Sequence, residues 1–220
     1  MLGIFAFILL PICVLAYQEK IALGNIDSLN LIILVIFMLI TSIVEIPIHN
    51  IRTKKSNSLE KNTYSIKKMY GVSISEEMER GKGFAFDTKI TLNLGGFIIP
   101  LIVSLYLIST NPYTSIIALM IIMIVVVSIA SKMIDGVGIV VPHYIGLVSI
   151  PFALIIAPHN AAIISFIANI GGILIGTVAA LISFDKEKKG SAYLNLGGIG
   201  IFESTYITLI IALILSYFTI

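Results

Sequence analysis

The stretch LNLGGFIIPLIVSLYL (92–107) opens with an amide and two glycines, and its first five residues recur as LNLGG at 194–198. A close variant, NIGG, occupies 169–172. The two LNLGG copies stand at the head of apolar runs, 90–108 and 199–218, that approach the roughly 20 residues needed to cross a bilayer core. How these runs are read decides the fold class. Five further runs, at 1–17, 29–48, 112–131, 138–157 and 161–184, bring the expected number of spans to about seven. The run at 138–157 is the least regular, because it holds Pro142, Gly146 and Pro151. The first run has no basic residue before it and no small-x-small site after it, so it reads as a retained span and not as a removable signal. The expectation is an all-α integral membrane protein: one transmembrane domain over 1–220, a bundle of about seven transmembrane helices with Gly- and Pro-interrupted spans.

Composition supports this. Of the 220 residues, 58% are hydrophobic and 12% charged, about half the charge of an ordinary soluble domain, and the mean hydropathy is +1.06. Lys and Arg are retained on the cytoplasmic side of membrane proteins. Seven spans put segments 49–89, 132–137 and 185–190 on one side, and these hold 13 of the 14 basic residues, with Lys20 opposite. The expected location is the cell membrane, multi-pass, with a cytoplasmic N-terminus and an external C-terminus. A pI near 8.6 then follows from topology and implies no nucleic-acid partner; the partner is the lipid bilayer. The single Cys13 leaves no disulfide and no Cys-based metal site.

The polar segment 49–89 reads as a cytoplasmic loop between spans two and three, too small for an independent enzyme domain. Within it, SISEEMER reads as a short helix with Ser75 as N-cap, ended by Gly81 and Gly83. No phosphate-binding glycine loop and no paired-His metal pattern occurs there. Neither a metal nor a cofactor is implied.

Asn93 and Asn195 are expected to cap helix starts by accepting a bond from an otherwise unpaired N–H, which matters most where water is scarce. The glycines after them, Gly95, Gly96, Gly197 and Gly198, let neighbouring helices approach closely. Three small-residue stripes follow helical spacing: Asn93, Gly96, Pro100, Ser104; Asn169, Gly172, Gly176, Ala180; and Gly197, Gly200, Ser204, Thr208. Packing alone explains them. The sharper alternative is that two helix N-termini meet at a cytoplasmic cavity suited to an anionic group.

Glu203 lies eight residues past Asn195, about 12 Å deeper if both belong to one helix. An acidic side chain inside a bilayer is costly and should face the bundle interior. Glu45, in SIVEIPIHN, is expected near the cytoplasmic end of the second span, where Pro47 removes a backbone donor. Asp135 begins the Gly- and Pro-rich stretch IDGVGIVVPHY, with His143 about one turn past Gly138.

Five stretches, SIVEIPI (42–48), LNLGGFIIPLIVSLYL (92–107), GVGIVVP (136–142), GGILIG (171–176) and LGGIGIFESTYIT (196–208), resemble the domain of unknown function 1614 family, polytopic membrane proteins of archaea and bacteria. The resemblance implies Asn at the place of Glu45 and Asp at the places of Val178 and Glu203. This chain keeps the last carboxylate and lacks the one at Val178. No activity comes with the resemblance. The residues favour a transporter or carrier of a small solute or ion, with a membrane-embedded carboxylate at Glu203 as proton or cation site. The binding candidates are Glu203, Glu45, Asn93, Gly95, Gly96, Asn195, Gly197 and Gly198. Two alternatives stand beside it: an intramembrane hydrolase working through two carboxyls, and a non-catalytic membrane scaffold. An enzyme is less favoured than a carrier.

Overall fold

The computed structural model describes residues 2–54, 85–135, 137–198 and 200–219, and the side chains of 10–54, 85–135, 137–198 and 200–218. Among these residues there are seven α-helices: α1 (Leu2–Tyr17), α2 (Ser28–Thr41), α3 (Ile99–Thr110), α4 (Thr114–Ala130), α5 (Ser149–Ile156), α6 (Ala161–Ser183) and α7 (Ile201–Thr219). Two helical segments, Pro158–Ser183 and Ile201–Phe218, are long and apolar enough to cross a membrane. The others are shorter than the expected spans. The run at 138–157 divides into a strand, a 3-10 turn at Ile145–Val148 and the eight-residue α5, as its prolines and glycine require.

The fold is mostly helical, and a small mixed sheet corrects the all-α expectation. β1 (Glu45–Lys54) pairs antiparallel with β2 (Ala85–Asn93), which pairs parallel with β5 (Tyr193–Leu196); β3 (Lys132–Ile134) and β4 (Gly138–Val140) form a separate hairpin. The second and third expected spans lose the ends that adjoin the 49–89 segment to strands. α2 stops at Thr41, and Glu45 begins β1; Lys89 to Asn93 extend β2 before any helix begins. Pro47 lies where the β1–β2 register shifts, between Pro47 and His49, a place that tolerates its missing N–H. The segment read as a loop over 49–89 therefore contributes its two ends, 49–54 and 85–89, to strands. The expected helix with Ser75 as its cap lies outside the described residues.

α6 is the central helix. Fifteen of its 23 residues are buried, and it packs on α3, α4, α5 and α7. Gly172 and Gly176 set the α4 crossing, because a Cβ at either would strike Met123 or Val127. The NIGG variant is thus a packing site, as a small-residue stripe should be. α2 turns Leu31, Val35 and Met38 inward and leaves Leu29, Ile33, Phe37 and Ile40 exposed. α3 and α4 repeat this, with Ile102, Leu105, Ile117, Ile121 and Val125 outward. The apolar outer faces are continuous with the composition and not confined to one patch.

Helix connections alternate between two ends. One end gathers the strands and the 185–192 segment: Lys54 N–H donates to Lys186 O at 3.0 Å, Thr88 Oγ1 to Ser191 O at 2.7 Å and Gly190 N–H to Asp135 Oδ1 at 3.1 Å. There the Lys188 side chain bonds Asp185 and holds its carboxyl below the usual carboxylate range. At the other end, Asn25, Asn111, Tyr113, His159, Asn160 and Ser216 line a cleft of about 280 Å³.

Candidate functional site

The strand end is where the singled-out residues meet. Parallel pairing of β2 with β5 sets Thr91 opposite Asn195 and Leu92 opposite Leu196, so the two LNLGG copies lie side by side, staggered by two residues. Each copy is the end of a strand and the turn that leads into a helix. Gly96 and Gly197 are the point of contact: a Cβ on Gly96 would overlap the carbonyl oxygen of Gly197, and one on Gly197 would stand 2.8 Å from the carbonyl carbon of Gly96. Gly95 presses on the last turn of α2, at Met38 O and Ser42 N, and Gly198 lies against the Asn195 side chain. The close approaches are between a helix and a turn, and between two turns, where helix pairs were expected.

Asn93 is a helix cap. Its Oδ1 accepts from Gly96 N–H at 2.7 Å, and its Nδ2 donates to Ser42 O at 2.6 Å, so one side chain starts the π-helical turn Leu94–Ile98 and ties down the end of α2. Asn93→Ala is expected to cost about 2 kcal/mol, a lost cap and a lost buried bond. Asn93→Ser, a neutral cap that keeps the acceptor, should lose less in detergent melting, and equal losses would contradict the cap.

Asn195 is not a cap, because residues 193–196 form β5 and α7 begins at Ile201. Its Nδ2 donates to Glu45 Oε1, and Thr91 Oγ1 donates to Glu45 Oε2 at 3.4 Å. Glu45 opposes Asn93 across the β1–β2 ladder. Glu45, Thr91 and Asn195 therefore lie on neighbouring positions of three strands, the spacing at which cross-strand side chains meet.

Glu203 is the third residue of α7 and 8% exposed. It stands about 3 Å along the helix axis from Ile201, and the continuous helix from Asn195 on which the expected depth of 12 Å rests is not present, since residues 193–196 form β5 and α7 begins at Ile201. In the first turn its carboxylate meets the positive end of a 19-residue helix. It also meets His143 Nδ1. His143 follows β4 and has a half-exposed imidazole, 52% against 11% for the Glu203 side chain. The pair is thus buried at the carboxylate and open at the imidazole. Gly200, at φ +79°, makes this possible by bringing the α7 start against Val141 O.

The structure thus divides the eight candidates into two groups and adds a residue. Glu45, Asn195 and the capping Asn93 share the three-stranded sheet; Gly95, Gly96, Gly197 and Gly198 are its close contacts; Glu203 stands apart with His143. His143 was noted in the sequence only by its distance from Gly138. Its place in a short link between a strand and a 3-10 turn, with Pro142 before it, was the available signal.

No curated protein and no solved structure matches this chain. Residues 39–215, which include every residue of both groups, match the family described as Protein of unknown function (DUF1614), and the chain belongs to that family.

Proposed function

We propose that this chain is a multi-pass membrane carrier of a small solute or ion, with the Glu203–His143 pair as its proton site and the strand end facing the cytoplasm. The membrane reading draws on two membrane-length apolar helices and on apolar side chains exposed on the outer faces of α2, α3 and α4, surfaces that water would penalise. The orientation draws on charge: Arg52, Lys54, Lys89, Lys132, Lys186, Lys188 and Lys189 are all in the strand-end segments, and Lys20 is in the α1–α2 connection at the other end.

The observation that carries the function is the pairing of a buried carboxylate with a half-exposed imidazole at the head of an apolar helix. A carboxylate held there can take and release a proton, and a histidine that reaches outward is the group best able to exchange it. A two-carboxyl hydrolase is less well supported, because Glu45 is engaged by Asn195 and Thr91 while Glu203 is engaged by His143.

The test is solute-driven acidification of vesicles that contain the purified protein and a trapped pH dye. The panel covers amino acids, carboxylic acids, sugars and inorganic cations. At least one solute should drive proton movement above that of protein-free vesicles. A panel with no response would sink the carrier reading.

A further inference from the structure

The cleft at the end opposite the strands takes no part in the proton site. Three helix connections build it: Asn25 comes from the α1–α2 connection, Asn111 and Tyr113 from α3–α4, and His159 and Asn160 from α5–α6. No Asp, Glu, Lys or Arg lines it, although Glu19, Lys20 and Asp27 stand in the first of these connections. Among the described residues, no hydrogen bond or ion pair engages the side chains of Asn25, His159 or Asn160. The cleft is therefore polar, uncharged by carboxylate or ammonium, and supplied with donors and acceptors that the fold itself does not use.

The backbone that carries these side chains is fixed. Leu23 and Ile26 exchange backbone bonds, Leu23 N–H to Ile26 O at 3.0 Å and Ile26 N–H to Leu23 O at 3.1 Å, so Gly24 and Asn25 are the two middle residues of a tight turn. Gly24 takes φ +58° there, and a Cβ on it would stand 2.6 Å from Ile163 Cδ1 and 2.8 Å from Asn111 Nδ2. Glycine thus lets the turn close on α6 and on the α3–α4 connection. Asn111 Nδ2 donates to Leu107 O at 3.2 Å and to Thr110 Oγ1 at 2.9 Å, which leaves its Oδ1 as the acceptor it can offer. Asn160 N–H donates to Ala157 O at 3.0 Å and holds the 3-10 turn Pro158–Asn160. Polar groups held in place before a ligand arrives lose less entropy on binding.

A charged ligand enclosed here would give up water without meeting an opposite charge, a costly exchange. A side-chain amide offers two donors and an acceptor, the complement of a hydroxyl, which both donates and accepts. The volume, about 280 Å³, is close to the lower bound of small-molecule pockets, roughly 300 Å³, and suits one ring-sized molecule. We propose that this cleft is a binding site for a single small neutral polyol, of the size of a monosaccharide or an inositol. The site goes beyond the carrier reading and does not rest on it.

The experiment is calorimetric titration of the purified full-length protein, in a detergent without a sugar headgroup, with glucose, galactose, myo-inositol and sorbitol. At least one should bind saturably to a single site, with a Kd of about 1 mM or tighter. Gluconate, which is similar in size and charged, should bind at least roughly tenfold more weakly. Asn25→Ala and Asn160→Ala should each weaken the best polyol about tenfold, the loss of a good hydrogen bond. Their unliganded melting temperatures should match the parent's, because neither side chain bonds the protein. Ser109→Ala, which removes a hydroxyl bonded to Tyr106 O at the same end and outside the cleft, should leave binding unchanged. Tighter binding of octyl glucoside than of glucose keeps the site and assigns it to a glycolipid headgroup in place of a free solute. A parent chain that binds none of the four polyols overturns the proposal, and so does gluconate binding as tight as the best of them, or a Ser109→Ala loss equal to that of Asn25→Ala. Binding is read without transport, so its failure leaves the carrier reading standing, while polyol binding in a protein that moves no protons would keep the site and remove the carrier.

Discussion

Gly96→Ala is expected to destabilise the protein by about 3 kcal/mol or more, the upper range for forcing extra volume into a packed site. The added methyl would overlap a backbone oxygen, that of Gly197, and not the end of a side chain that could swing away. Gly197 cannot yield easily. It is in the left-handed region at φ +86°, and its neighbour Leu196 is locked to Leu92 by the parallel β2–β5 pairing. Relief would require α7 and β5 to part from the α3 turn, which would also shift Glu203. The control is Gly171→Ala, where the methyl meets the sulfur of Met120, a flexible side chain on α4. That variant should cost less than about 1 kcal/mol. Chemical unfolding in mild detergent measures both, and equal losses at 96 and 171 would mean that the Gly96–Gly197 contact does not hold the fold.

This contact answers why an amide and two glycines recur. The pattern in each copy is strand, close turn, helix, and the turns touch because neither has a side chain in the way. The glycines and their purpose, close approach, are legible in the sequence, but the approach is between turns and not between pairs of helices. Hydropathy hides the strands. Residues 45–54, EIPIHNIRTK, and 85–93, AFDTKITLN, place apolar and polar residues in near alternation, the period of a strand. Each adjoins a strongly apolar run, and a window near 20 residues absorbs the alternating residues into the span. β5 is four residues long and has no period of its own to read; only its partner β2 makes it a strand. The long helices were legible for the opposite reason. α6 is apolar around most of its circumference, so that no choice of face was needed to find it.

The candidate site shows the same division. Glu203 was legible because one carboxylate in an apolar run is conspicuous, whatever the local structure. Its partner was not, since the distance from His143 to Glu203 is 60 residues and the pairing depends on β4 lying beside β5. Glu45 was legible as a carboxylate and misplaced as a helix residue. Its bonds to Asn195 and Thr91 exist only because β1, β2 and β5 form one sheet.

Glu203→Gln is expected to abolish solute-driven proton movement, with a loss of about 100-fold or more. The amide keeps the volume and can still bond His143 Nδ1, so folding should survive, but it cannot bind and release a proton at working pH. Glu203→Asp should retain part of the activity, because the carboxylate remains and only its reach is shortened. His143→Gln should give an intermediate loss, about tenfold, if the imidazole exchanges protons between Glu203 and the strand end. The double variant then decides whether the two residues are one site. Groups that act as a unit are strongly non-additive, so His143→Gln should cost much less on the partly active Glu203→Asp background, where the shortened carboxylate has already lost reach to the imidazole, than in the parent. Additive losses would mean that His143 acts elsewhere and that the observed pair is only structural. Undiminished proton movement in Glu203→Gln, with melting temperature unchanged, would take the carboxylate out of the transport reading. Reduced melting temperature with normal movement would leave it as a polar fastener between α7 and the β4 link, a role that Gln fills with a neutral hydrogen bond in place of a charge-assisted one.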